Sequence, residues 1–207
     1  MKADGMNNTT GCEGISEGGT RPLRADAQRN RLRVLEAAEA VFASEGISVP
    51  VDVIAEKAGV GVGTLYRHFP TKEKLFEAIL IQRLEELVAD ARGRLGSDDP
   101  GAAFFGFLRH LVDEVVLKRD FILAMSGAGV EFEVVAADAK EDLQRAVADL
   151  LRAAQAAGAV RGDVTGAVVL SLVGGTCMAA EGHHQEAAPL DLLQIICDGL
   201  RTAEPSS

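Results

Sequence analysis

The chain has no tryptophan, a single tyrosine and only 4% aromatic residues in 207. Strands draw on aromatic and β-branched residues in alternation, and that pattern is scarce here, which excludes an all-β architecture and leaves an all-α fold as the expectation. The three cysteines, Cys12, Cys177 and Cys197, are odd in number and far apart. They offer neither a disulfide framework nor metal-ligand spacing, in keeping with a reducing cytoplasm. No apolar run is long enough to span a bilayer, because the longest, Val164 to Ala180, is interrupted by Ser171, Gly174, Gly175 and Thr176. The first twenty residues, MKADGMNNTTGCEGISEGGT, are polar and glycine-rich with no apolar centre. They read as a disordered tail, not a signal peptide or membrane anchor. No Ser/His/Asp, Cys/His or paired-carboxylate set is recognisable, so no catalytic residue is nominated and the chain is not read as an enzyme.

The net charge of −10 at first opposes a nucleic-acid partner. Its distribution reverses that impression. Residues 21–80 hold nine Lys/Arg against eight Asp/Glu, while residues 81–207 hold eleven against twenty. The near-neutral segment carries Arg21, Arg24, Arg29, Arg31, Arg33, Arg67, Lys72 and Lys74. A basic patch at one end suits a polyanion, and an acidic remainder repels indiscriminate contacts.

Within that segment, VDVIAEKAGVGVGTLYRHFPTKEKLFEAIL, Val51 to Leu80, is the most decodable stretch. Val51, Ile54, Ala55 and Ala58 form one apolar face of a short helix, and Gly59 suits the residue just past its end. Val60 and Gly61 leave a turn of about three residues, as a helix-turn-helix requires. A second helix spans Val62 to Phe69 with Leu65 and Phe69 inward. Pro70 stops it, and Thr71 caps a third helix with Leu75, Phe76, Ile79 and Leu80 inward. The outward set of the middle helix is Gly63, Thr64, Tyr66, Arg67 and His68, with no acid among them. Hydroxyls and cations bond phosphate oxygens, and Arg also reads guanine edges in a major groove. Gly63 costs about 1 kcal/mol against Ala inside a helix, and either close approach to an external surface or relief of crowding against the preceding helix explains it. Tyr66 is open to a half-buried core role as well as an outward one.

The remaining elements follow from helical periods. A long first helix runs from Ala25 to Ser44, with Val34, Leu35, Ala38, Val41 and Phe42 inward and Gly46 at its end. Arg29, Arg31 and Arg33 crowd its first turns against the helix dipole, a cost an external phosphate offsets. The helix that Thr71 caps continues to about Leu95, and Gly93 to Gly101 is a break. Further helices are expected over Ala102–Leu117, Asp120–Ser126, Glu133–Ala157, Val164–Ala180 and Leu190–Arg201.

A helix ending FASEGI followed by IAEKAGVGVGTLYRHFPTKEKLFEAIL resembles the N-terminal domain of the TetR family of bacterial transcription regulators. The resemblance covers residues 25–85 and is most specific over Gly63 to Glu73 and Ile54 to Gly59. It implies a three-helix DNA-binding head whose third helix enters the major groove. Thr64, Tyr66, His68 and Lys72 match positions that hold phosphates; Val62, Gly63 and Arg67 match positions that approach base edges; Arg24 lies in the basic arm before them. Gly61, where many members have Ser or Thr, and Pro50, where a Thr is frequent, depart from the pattern, though both are tolerated near a helix start.

The resemblance further implies a helical ligand-binding and dimerisation domain, with residues 1–20 as tail, 21–82 as head and 83–203 as body. The implied partners are double-stranded DNA carrying a palindromic operator, a second copy of the chain and a small apolar effector, with no cofactor. In such proteins the last two long helices form a four-helix bundle between subunits. Leu170, Val173, Gly174, Leu192 and Ile196 are the interface candidates, and Val164–Ala180 is apolar nearly all round, as a helix covered on two sides must be. Phe104, Phe105, Leu108, Phe121, Met125, Phe132 and Met178 are the pocket candidates, plain core being the simpler reading. His183 and His184 lack the three converging ligands a metal needs, so no metal site is expected.

Overall fold

The computed structural model describes residues 20–117, 136–182 and 189–202. These form eight helices: α1 (Thr20–Glu45), α2 (Val51–Ala58), α3 (Val62–His68), α4 (Lys72–Arg94), α5 (Pro100–Leu117), α6 (Ala137–Ala156), α7 (Gly166–Gly182) and α8 (Pro189–Leu200). No strand occurs among the described residues; one isolated antiparallel bridge joins Val160 to Arg201. The helix expected over Asp120–Ser126 lies outside the described residues, as do the pocket candidates Phe121, Met125 and Phe132 and the pair His183 and His184.

The head forms because its short helices end where the sequence compels them to. Gly59 takes φ 64°, ψ 35°, a left-handed conformation disfavoured with a β-carbon. Its N–H donates to the Glu56 carbonyl, and Val60 N–H donates to that of Ala55, both at 3.0 Å. This is the Schellman pattern, which satisfies carbonyls that the helix leaves orphaned. Gly158 closes α6 the same way, with φ 74° and Ala159 N–H donating to the Ala154 carbonyl at 2.9 Å. At α4 the Thr71 hydroxyl accepts from Lys74 N–H at 3.3 Å, as an N-cap does.

Packing follows the apolar periods. Val34, Leu35, Ala38, Val41 and Phe42 of α1 are buried with Ile54, Ala55 and Ala58 of α2, Leu65 of α3, Phe69, and Leu75, Phe76 and Ile79 of α4. Phe42 and Phe76 meet with ring centroids 4.9 Å apart. The core is continuous with that of the body, where α4 packs chiefly on α6, α5 on α6 and α8, and α7 on α6 and α8. Thus α4 is a single rod shared by head and body. Its head side is tied by Arg83, whose Nε donates to Glu39 Oε1 of α1 at 2.5 Å and whose second nitrogen pairs with Glu39 Oε2. Farther along, Arg92 approaches Asp142 of α6 at 4.0 Å.

Candidate nucleic-acid interface

The turn Gly59–Gly61 sets α3 against α2, and the Gly61 carbonyl accepts from Thr64 and Leu65 N–H at 2.8 and 3.1 Å to start it. Leu65 is 1% exposed and Phe69 3%, so these two side chains fix α3 to the head core. Everything else on the helix is displayed. Val62 is 37% and Tyr66 45% exposed. Gly63 and Arg67 are exposed, and Thr64 and His68 half-buried. Tyr66 is therefore an outward side chain, not a core one. The Arg67 Nε donates to the Gly63 carbonyl at 3.2 Å, which folds its stem along the helix and leaves its remaining guanidinium donors outward.

Gly63 is informative because a β-carbon built there meets no atom within 4 Å, and the same holds at Gly61. Crowding against α2 does not explain the glycine.

Lys72 is placed differently from the other candidates. Its Nζ donates to the Val49 carbonyl at 2.6 Å and sits 5.7 Å from the centroid of the Phe42 ring. Burial holds its ammonium below the ordinary lysine value, with Glu73 pulling the other way. One of three ammonium donors thus braces the loop before α2 against α4, leaving two. Beside it, the Thr71 hydroxyl, then the residue's own backbone N–H and the Lys72 charge, hold the Glu73 carboxyl below its usual value. Arg31 of α1 lies over the Phe69 ring at 5.5 Å, a cation–π contact that positions a positive charge next to the C-terminal end of α3. Arg24 belongs to the first turns of α1, and its side chain lies outside the described part.

This arrangement is a positively biased, acid-free face carried on a seven-residue helix with two apolar anchors. Comparison with known proteins decides what it belongs to. Residues 34–79 match the family model described as "Bacterial regulatory proteins, tetR family", and residues 99–202 match "Transcriptional regulator SbtR-like, C-terminal domain". The chain belongs to the TetR family. It is similar to the TetR transcription regulatory protein of Mycobacterium vanbaalenii, at 42% identity and TM-score 0.71 over 87% of this chain and 100% of that one. The TetR regulator SCO0520 of Streptomyces coelicolor matches at 32% identity and TM-score 0.67, over 84% and 99%. The HTH-type transcriptional regulator UidR of Escherichia coli K12 is 28% identical over 195 residues, 87% of this chain and 97% of that protein. The fold is also shared, at 22% identity, with Thermus thermophilus FadR in complex with lauroyl-CoA (TM-score 0.57) and with RolR in complex with resorcinol (TM-score 0.54). As a TetR-family transcription regulator, the protein binds DNA.

The body candidates separate on inspection. Phe104 and Leu108 are 0% exposed and belong to the packed core with Phe107. Phe105 is half-buried and lines a surface groove, while the Met178 side chain lies outside the described part. Of the interface candidates, Val173 faces its own core at 4% exposure, Leu170, Leu192 and Ile196 are half-buried, and Gly174 is exposed. The exposed large apolar residues described on α7 and α8 are Val168 at 46%, Leu172 at 39%, Leu190 at 41% and Ile195 at 70%. Composition did not separate the two sides of α7, because it is apolar on both. The phase of Val169, Val173 and Thr176, which are buried, sets Val168, Leu172 and Gly175 outward at helical spacing.

Proposed function

We propose that this regulator is a homodimeric repressor whose two heads read a palindromic operator and whose body, on binding a small apolar molecule, releases the DNA. The observation that carries the reading is the outward face of α3, where an uncrowded glycine sits among Val62, Tyr66 and Arg67 with no acid. A helix entering a major groove needs that combination: close backbone approach, donors for phosphates and an arginine for a base edge. Thr64, Tyr66, His68, Lys72 and Arg24 serve phosphates in this account, and Val62, Gly63 and Arg67 face bases.

The outward apolar seam of Val168, Leu172 and Ile195 supports dimerisation, since exposed aliphatic residues on adjacent helices mark an interaction surface. The head–body boundary falls within α4 near residue 82, beside the Arg83–Glu39 pair, so that a shift of α4 in the body moves the head. A ligand that prefers the DNA-incompetent spacing of the two heads shifts the population away from the operator. Proteins of this fold hold lauroyl-CoA and resorcinol, molecules with large apolar parts. A second reading, a regulator without a ligand, is favoured by the full burial of Phe104, Phe107 and Leu108, which leaves α5 tightly packed.

Footprinting on the DNA upstream of the protein's own gene tests these readings together. Two protected half-sites related by a dyad, lost on addition of a small apolar compound, support the ligand-released repressor. Protection that no compound relieves supports the second reading, and absence of any protection refutes both.

A further inference from the structure

A groove separate from the head and from the outward seam opens between α5 and α8. It is small, about 90 Å³ in volume, and Phe105, Arg109, Leu193, Gln194, Cys197 and Arg201 line it. Phe105 and Arg109 are one helical turn apart on α5, and Leu193 and Cys197 are at the same interval on α8, with Arg201 just past its end, so each side sets apolar residues beside a guanidinium. The Arg201 guanidinium lies 4.4 Å from the Phe105 ring centroid and 3.6 Å from Asp198. The Gln194 amide donates to Asp198 at 2.9 Å. Arg109 forms no ion pair among the described residues. One carboxylate therefore stands against two cations.

The buried thiol at the floor reports the same imbalance. Burial pushes Cys197 up from its ordinary value, while Arg201 and then Arg109 pull it back and Asp198 adds to the rise. The thiol stays neutral and supplies no counter-charge, yet both guanidiniums are close enough to act on it. Two cations at one groove favour an anion there, and the planar fork of arginine suits a carboxylate.

We propose that this groove binds a small carboxylate with a flat apolar body, its carboxylate at Arg109 and Arg201 and its body against Leu193 and Cys197. At about 90 Å³ the groove is smaller than most small-molecule sites, so it seats no more than part of a single ring. Ile195, the most exposed apolar residue of α8, is two residues from both Leu193 and Cys197 and so points away from the groove. The inference is independent of the operator reading.

Calorimetric titration of the full-length protein with benzoate tests it, with benzyl alcohol and inorganic phosphate as matched probes. Benzoate is expected to bind at least about tenfold more tightly than either, since each probe lacks one half of the recognition. R109Q is expected to weaken benzoate binding about tenfold or more while leaving the melting temperature unchanged, because Arg109 is exposed and unpaired. The Arg201 guanidinium also packs on Phe105 and faces Asp198, so R201Q is informative only beside R109Q. No heat with benzoate, or equal benzoate affinity in R109Q, overturns the site. Equal affinity for benzyl alcohol overturns its anionic half, and equal affinity for phosphate its apolar half.

Discussion

Gly63 is the residue where stability and function part most clearly. Its added β-carbon would meet open space and its φ lies in the helical range, so Gly63→Ala is expected to stabilise the head by about 1 kcal/mol. The same methyl would stand between α3 and a DNA surface. Operator affinity is therefore expected to fall while the urea midpoint rises, with denaturation and fluorescence anisotropy measured on one preparation. Lys72 gives a second residue-scale test. If its two remaining donors serve a phosphate, Lys72→Met lowers the slope of log affinity against log salt by about 0.9. If it serves only the Val49 carbonyl, the slope is unchanged and the variant loses only about 1 kcal/mol of stability. At this scale the sequence was legible wherever a residue's role is local. Gly59, Leu65, Phe69 and Thr71 sit where their short-range chemistry dictates. Lys72 was not, because its bond reaches back 23 residues to a loop carbonyl that no spacing announces.

Among the elements, α4 decides how head and body communicate. Its apolar residues face both, and Arg83 and Glu39 bond across from α4 to α1 with side chains 32% and 19% exposed. A half-shielded, two-point guanidinium–carboxylate pair is stronger than a surface one. In a double-mutant cycle of Glu39→Gln and Arg83→Met, read by urea denaturation, a coupling of about 1–2 kcal/mol is expected, and additivity would show the pair to be incidental. The starts and stops of α2 to α4 and the end of α6 were readable because glycines, Pro70 and Thr71 punctuate them. The side of α7 that faces outward was not: a helix apolar all round carries no moment to orient it, and only the packing of Val169 and Val173 against α6 and α8 fixes the phase. The groove between α5 and α8 was equally invisible, since Arg109 and Arg201 are 92 residues apart in sequence and meet only through the fold.

For the whole molecule, the outward seam predicts how two copies associate. Ile195→Glu and Leu172→Glu place carboxylates on exposed positions, so a single subunit keeps its fold while a dimer loses its apolar contact. Sedimentation is expected to show monomers with unchanged helical circular dichroism; a dimer of unaltered stability would place the interface elsewhere.

The central claim is that α3 presents this protein to DNA. Its most direct test is an anisotropy titration of wild type and Arg67→Ala against the operator and against unrelated duplex, over a range of salt. Salt-sensitive binding by wild type is predicted, with Arg67→Ala losing about 1–3 kcal/mol on the operator and little on unrelated DNA. Equal losses on both sequences would make Arg67 a phosphate contact, and an operator affinity unchanged by Arg67→Ala and by Tyr66→Ala would contradict the account.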